Sequence, residues 1–224
     1  NNGDKVYVRG ILSEDNTSSD YTQFKMSGKI DASGNCNAIW NYQDLNAPLK
    51  QYCGYRMFYA CDALTTAPEL PATELAKNCY DTMFRGCTAL TTAPKLPATR
   101  LATYCYYAMF QGCTSLLNAP ELPATTLASD CYECMFYNCT SLTEAPELPA
   151  TTLKYYCYYE MFRRCSNLNK ITCLATDISA SSCLTYWVNG VSSTGTFIKN
   201  PDMNDWTTGV DGIPSGWTVE DYAG

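Results

Sequence analysis

Cysteine carries the most latent chemistry in this chain: there are 14 cysteines in 224 residues and no histidine. A catalytic thiol needs a base and a thiolate-favouring environment, and the commonest base is missing. Structural metal sites favour short Cys-x2-Cys pairs or histidines, and the closest spacing is Cys131 to Cys134. Most of the cysteines instead recur at a fixed step. One series is Cys53, Cys79, Cys105, Cys131, Cys157 and Cys183, and a second is Cys61, Cys87, Cys113, Cys139 and Cys165. Two readings of these series stay open. They form ladders of buried, reduced thiols that act as small apolar fillers. Alternatively they pair as Cys36 with Cys53, Cys61 with Cys79, Cys87 with Cys105, Cys113 with Cys131, Cys139 with Cys157 and Cys165 with Cys183. Each such loop would contribute about 3 kcal/mol in the chain-entropy model. Pairing Cys79 with Cys87 is a poor fit, because eight helical residues span ~12 Å. The full set of pairs leaves only Cys134 and Cys173, in columns read as solvent-facing. No catalytic residue, metal ligand or cofactor is expected.

Carboxylates offer little more. Glu69, Glu121 and Glu147 share a column that Lys95 interrupts. Nothing has the alternating Asp/Asn/Gly spacing of a calcium loop, and a glycosidase carboxylate pair would need a cleft that a repeat need not have. A solvated face of mixed charge is the expected state of this column.

The step is 26 residues, and it organises the chain. A fixed period of this length is the mark of stacked units, none of which can bury its apolar face alone. Counting each unit from its first cysteine as position 1, units open at 53, 79, 105, 131 and 157. In the second unit Cys79, Met83 and Cys87 stand at i, i+4 and i+8, which predicts one face of a short helix. The segment 90–97, closed by prolines, predicts a brief, irregular strand. Residues 98–102 turn the corner. Leu90, Leu96, Leu101, Cys105, Met109, Phe110 and Cys113 are the expected interior.

The ends depart from the repeat. Segments 5–10 and 21–30 predict strands of an N-terminal β cap over 1–35. Residues 36–52 read as a degenerate half-coil, and the repeat body runs over 36–182. In the fifth unit both prolines are lost after Leu168. A further helix is expected from Cys183, within a tryptophan-containing C-terminal cap over 183–224. The chain opens on Asn1 rather than Met, as expected of a processed or excised form, from which an export signal could have been lost.

Met109-Phe110-x-x-Cys113-Thr114-Ser115-Leu116, its counterpart Met135–Leu142, and the following Leu122-Pro123 resemble the BspA-like leucine-rich-repeat surface proteins of gut and oral bacteria. The likeness covers about 36–190. It implies an α/β repeat, a leucine-rich-repeat solenoid of about five to six coils, each with a short helix and a short irregular strand, between β-rich caps. It also implies a secreted or surface-attached array acting in adhesion or partner binding, and names no ligand.

Function is therefore sought where the units differ. Position 3 reads Tyr55, Asp81, Tyr107, Glu133, Tyr159; position 7 reads Tyr59, Arg85, Gln111, Tyr137, Arg163; position 26 includes Tyr104 and Tyr156. Exposed tyrosine and arginine dominate binding energy at interfaces and suit cation–π contacts or stacking on sugars. Free drift of solvent-facing positions would give the same variation. The candidate binding surface is Tyr55, Tyr59, Arg85, Tyr104, Tyr107, Gln111, Glu133, Tyr137, Tyr156, Tyr159 and Arg163. A net charge of −7 argues against nucleic acid, and no apolar run is long enough to span a bilayer. The expectation is a non-catalytic module, monomeric in isolation, that binds a host or bacterial surface protein or glycan outside the cell or on its surface. The alternative is a rigid spacer or fibre component of an appendage or phage tail; an enzyme comes third.

Overall fold

The structure is a computed structural model that describes residues 19, 21, 23, 24 and 29–224. Its elements are β1 (Ile30–Asp31), α1 (Asn37–Asn41), β2 (Leu64–Thr66), β3 (Lys170–Cys173), β4 (Thr196–Lys199) and β5 (Thr218–Asp221). β1 pairs with β2, and β3, β4 and β5 form a second sheet in that order, all parallel.

The expected α/β leucine-rich-repeat solenoid, with a helix in each coil, is not what forms. Among the described residues α1 is the only helix, five residues long, and the sheets are small. Every segment read as a helix is a run of turns, including the one from Cys183. The backbone shows why. Left-handed residues recur every fourth position: Asn78 (φ 56°), Thr82 (51°), Gly86 (78°), then Tyr104 (57°), Ala108 (47°), Gly112 (76°), and likewise Ser182, Tyr186 and Gly190. An α-helix cannot pass through such residues, since each sends the chain out of the right-handed path.

The amides divide by parity. Odd positions close turns within their own unit, as in Met109 N–H to Tyr106 O (3.2 Å) and Cys113 N–H to Phe110 O (3.0 Å). Even positions donate to the next unit: Ala108 to Glu133 O (2.8 Å), Phe110 to Met135 O (2.9 Å), Gly112 to Tyr137 O (2.8 Å). A left-handed non-glycine residue costs roughly 1–2 kcal/mol. The bonds between units return about 1 kcal/mol each, and the packing they align adds more.

That packing is a set of aromatic columns. Phe58, Phe84, Phe110, Phe136 and Phe162 stack with ring centroids 5.4–5.7 Å apart. Tyr80, Tyr106, Tyr132 and Tyr158 stack beside them at 5.8–6.1 Å. Such pairs add about 0.5–1.5 kcal/mol beyond simple burial. The first unit has Gly54 where the others have this tyrosine, and Trp40 of α1 takes the place, 6.1 Å from Tyr80. At the far end Trp187 packs on both Tyr158 and Phe162. Of the expected interior, Leu90, Leu96, Cys105, Met109, Phe110 and Cys113 are buried, and Leu101 is half-buried.

All 14 cysteines are buried thiols, and none is in a disulfide. The second series has a distinct job. From Cys87 on, each thiol donates to the phenylalanine carbonyl one unit earlier: Cys87 to Phe58 O, Cys113 to Phe84 O and Cys139 to Phe110 O, each at 3.1 Å. A small, apolar side chain with a weak donor fits that place, and the thiol supplies what alanine would not.

The proline-bearing half of the unit is looser. The expected strand at 90–97 shrinks to single parallel bridges, Thr66 to Thr92 and Thr92 to Asn118. In the fifth unit the register slips by one: Glu144 faces Lys170, but Leu148 faces Cys173 and Thr152 faces Asp177. Cys173 thereby enters the leucine column and is fully buried, not solvent-facing as its sequence position suggested. The turns themselves keep step from Cys157 to Cys183, with Tyr158 N–H on Cys183 O.

The expected strand at 5–10 lies outside the described residues, as does most of 21–30. Within the latter, Phe24 donates to Met57 O (2.7 Å) and lays its ring against Phe58 at 5.4 Å. At the other end Asp211 and Val210 accept the Tyr186 and Val188 amides, and the Trp187 indole donates to Gly212 O (2.8 Å).

Candidate binding face

The parity that builds the turns also sorts the side chains. Positions 1, 5 and 9 point inward as cysteine, methionine and cysteine, while positions 3 and 7 lie on the outer side of the same run. All eleven expected binding residues are half-buried: Tyr55, Tyr59, Arg85, Tyr104, Tyr107, Gln111, Glu133, Tyr137, Tyr156, Tyr159 and Arg163. They fall into two groups.

Position 7 forms a groove of about 250 Å³, walled by Tyr59, Arg85, Gln111 and Tyr137. Its floor is position 8: Ala60, Gly86, Gly112 and Asn138. Each end is a tyrosine with two arginines. Arg56 and Arg85 lie 4.5 and 5.8 Å from the Tyr59 ring, and Arg163 and Arg164 each lie 5.8 Å from Tyr137. Arg163 stands beyond the groove's end, paired with Glu160 and 5.3 Å from Tyr186.

Positions 26 and 3 form a strip of tyrosines and carboxylates. Tyr104 meets Tyr107 edge-on at 5.8 Å, Tyr156 stacks on Tyr159 at 4.8 Å, and Tyr55 packs edge-on against Tyr52 and Tyr21. Glu133 sits among acids. Burial, and then Asp130 beside it, push its carboxyl up to about 7, with Glu160 and Asp81 adding to the effect. Burial lifts Asp81 to about 6, against the Asn78 amide that donates to it at 2.9 Å. The Tyr107 phenol is pushed up to about 12, chiefly by burial.

Cys134 is not solvent-facing, as its place in the repeat suggested; it is buried between these groups. Burial, with Glu133 and Glu160 near, pushes its thiol up to about 12, the reverse of what a nucleophile needs. The acidic column is exposed at Glu69, Glu121 and Glu147, and Glu147 accepts a bond from the Tyr222 hydroxyl (3.0 Å). No helix among the described residues is long and apolar enough to cross a membrane.

Four of the eleven expected residues wall the groove, and none of them forms its floor. Arg56, Asp81 and Asp130 were also passed over as participants. The signal was present: Gly86, Gly112 and Asn138 share one position, and glycine and asparagine are the residues that favour left-handed backbone. Comparison with protein-family models, with curated proteins and with solved structures finds no match.

Proposed function

We propose that this chain is a non-catalytic binding module, secreted or displayed on a bacterial surface, that recognises a protein or glycan through the outer side of its turns. The resemblance to BspA-like surface arrays motivates the setting. The observation that carries the reading is the groove, in which the variable position 7 residues Tyr59, Arg85, Gln111 and Tyr137 come together over a floor with little side chain. Concave sites with a few convergent polar groups between aromatic walls are the usual form of ligand sites.

The test is a screen of the purified chain against glycans and extracellular-matrix proteins, run beside the Tyr107→Ala/Tyr137→Ala double variant. The expected result is capture of at least one ligand, weakened in the double variant while thermal stability stays within about 1 kcal/mol of the parent. Equal capture by both chains would rule out this face. A chain inert throughout the screen would favour the spacer role instead.

A further inference from the structure

The groove's floor carries glycine at Gly86 and Gly112, with φ of 78° and 76°. That conformation does not require glycine here. Ala60, Asn138 and Arg164 occupy the equivalent place in other units with φ of 56°, 60° and 63°. Space does not require it either: a Cβ on Gly112 would meet nothing nearer than 3.8 Å, and one on Gly86 nothing nearer than 3.4 Å. What the two glycines do is leave the middle of the floor bare. Arginine is concentrated at the same place. The chain is net negative at −7, yet four of its six arginines, Arg56, Arg85, Arg163 and Arg164, stand at the two tyrosines that end the groove. Glu160 pairs with Arg163 and Asp81 lies near Arg56 and Arg85, but the groove's own lining holds Arg85 and no carboxylate.

From these features we propose that the groove binds a carboxylate-bearing polysaccharide, laid along the stack across the four units from Tyr59 to Tyr137. This rests on the binding-module reading above and names its ligand class. Guanidinium groups match carboxylates in a planar, two-point geometry. Tyrosine rings offer flat apolar faces for the C–H faces of sugar rings, with hydroxyls for their polar edges. Gln111, between the end posts, supplies an amide donor and acceptor for sugar hydroxyls. Successive units advance by about 4.8 Å, close to the rise of an extended polysaccharide per sugar. A bare floor admits a ribbon-like chain without demanding an anchor side chain, which an acidic peptide would use. Within the groove the only charged side chain is the Arg85 guanidinium, so the site itself favours an anion even on an acidic protein.

The experiment is titration of the whole chain with oligogalacturonate, with a neutral cello-oligosaccharide and oligoglutamate as controls. The variants are Arg85→Gln, Gln111→Ala and Gly112→Asn, the last borrowing the residue found at Asn138. Oligogalacturonate is expected to bind, to weaken with added salt, and to lose about tenfold or more in affinity with Arg85→Gln and with Gly112→Asn. Thermal midpoints close to the parent's confirm that a variant is folded; if Gly112→Asn does not fold, the other two carry the test. Equal binding of the neutral sugar or of oligoglutamate would overturn the proposal, as would uronate binding indifferent to the folded variants. If oligogalacturonate does not bind but another ligand from the screen is lost with Gly112→Asn, the polysaccharide proposal fails and the binding-module reading survives. If nothing binds, both fail.

Discussion

Each unit has two halves that hold together in different ways. The turn half, from position 26 to position 9, uses most of its amides in alternation, one within the unit and one to the next. The proline half is joined by scattered bridges and tolerates a one-residue slip at Leu148 and Cys173. The difference follows from chemistry: proline has no N–H to give to a ladder, whereas the turn half contains none and stacks aromatic rings that lock its register. Rigidity and the candidate binding residues therefore lie on the same half. A groove that spans several units needs a fixed spacing, and only the turn half supplies one.

The largest test of this contrast is truncation of an aromatic column. Phe110→Ala, which removes a fully buried ring stacked on both sides, is expected to lower the unfolding free energy by roughly 3–5 kcal/mol in a denaturant titration. Leu117→Ala, at an exposed place in the looser half, is expected to stay within about 0.5 kcal/mol. Similar losses at the two sites would erase the distinction.

A smaller effect with opposite signs sharpens it. Ala60 is left-handed and exposed, so Ala60→Gly is expected to stabilise by about 1 kcal/mol. Ala72, after the second proline of the same unit and without a left-handed φ, is expected to lose about 0.5–1 kcal/mol as Ala72→Gly. Thermal melts that show the same sign for both would contradict the assigned backbone.

Glu133 is only half-buried, so solvent screens its neighbours, and the smallest expected effect is a slope with pH. The folded Glu133 carboxyl, raised by burial and by Asp130, Glu160 and Asp81, titrates near 7 rather than its usual 4.5. The folded state then holds more protons than the unfolded one between those values. Stability is expected to fall as pH rises from about 4.5 to about 7. Glu133→Gln should flatten that part of the curve and raise the melting temperature above neutral pH, leaving it unchanged in acid. A parent stability that rises over this interval would show that the Glu133 carboxyl is not raised as described.

Much of the molecule was legible beforehand. The 26-residue step, the inward columns of Cys, Met, Phe and Leu, and the outer columns of Tyr, Arg and Glu could all be read from spacing. The helix could not. Cys79, Met83 and Cys87 fit a helical face, but they fit a four-residue turn repeat equally well, and both place every fourth side chain on one side. What separates the two is that Tyr80 and Phe84 are buried as well, in an unchanging four-residue step rather than one drifting by 3.6. Cys134 was misplaced because its column, Arg56, Thr82, Ala108 and Glu160, is mixed and partly charged, which reads as a solvated face. Cys173 was misplaced because a slip that costs no residues overall leaves no trace in the cysteine period. The groove's floor was overlooked because glycine has no side chain to suggest contact, although its place in the repeat is what opens the site.

The measurement that bears most directly on the turn ladder is scalar coupling across hydrogen bonds in an isotope-labelled sample. Even-position amides are predicted to couple to carbonyl carbons one unit ahead: Phe84 to Met109, Phe110 to Met135 and Phe136 to Met161. Coupling of Phe110 to Tyr106, four residues back as in an α-helix, would contradict the turn ladder and the groove built upon it.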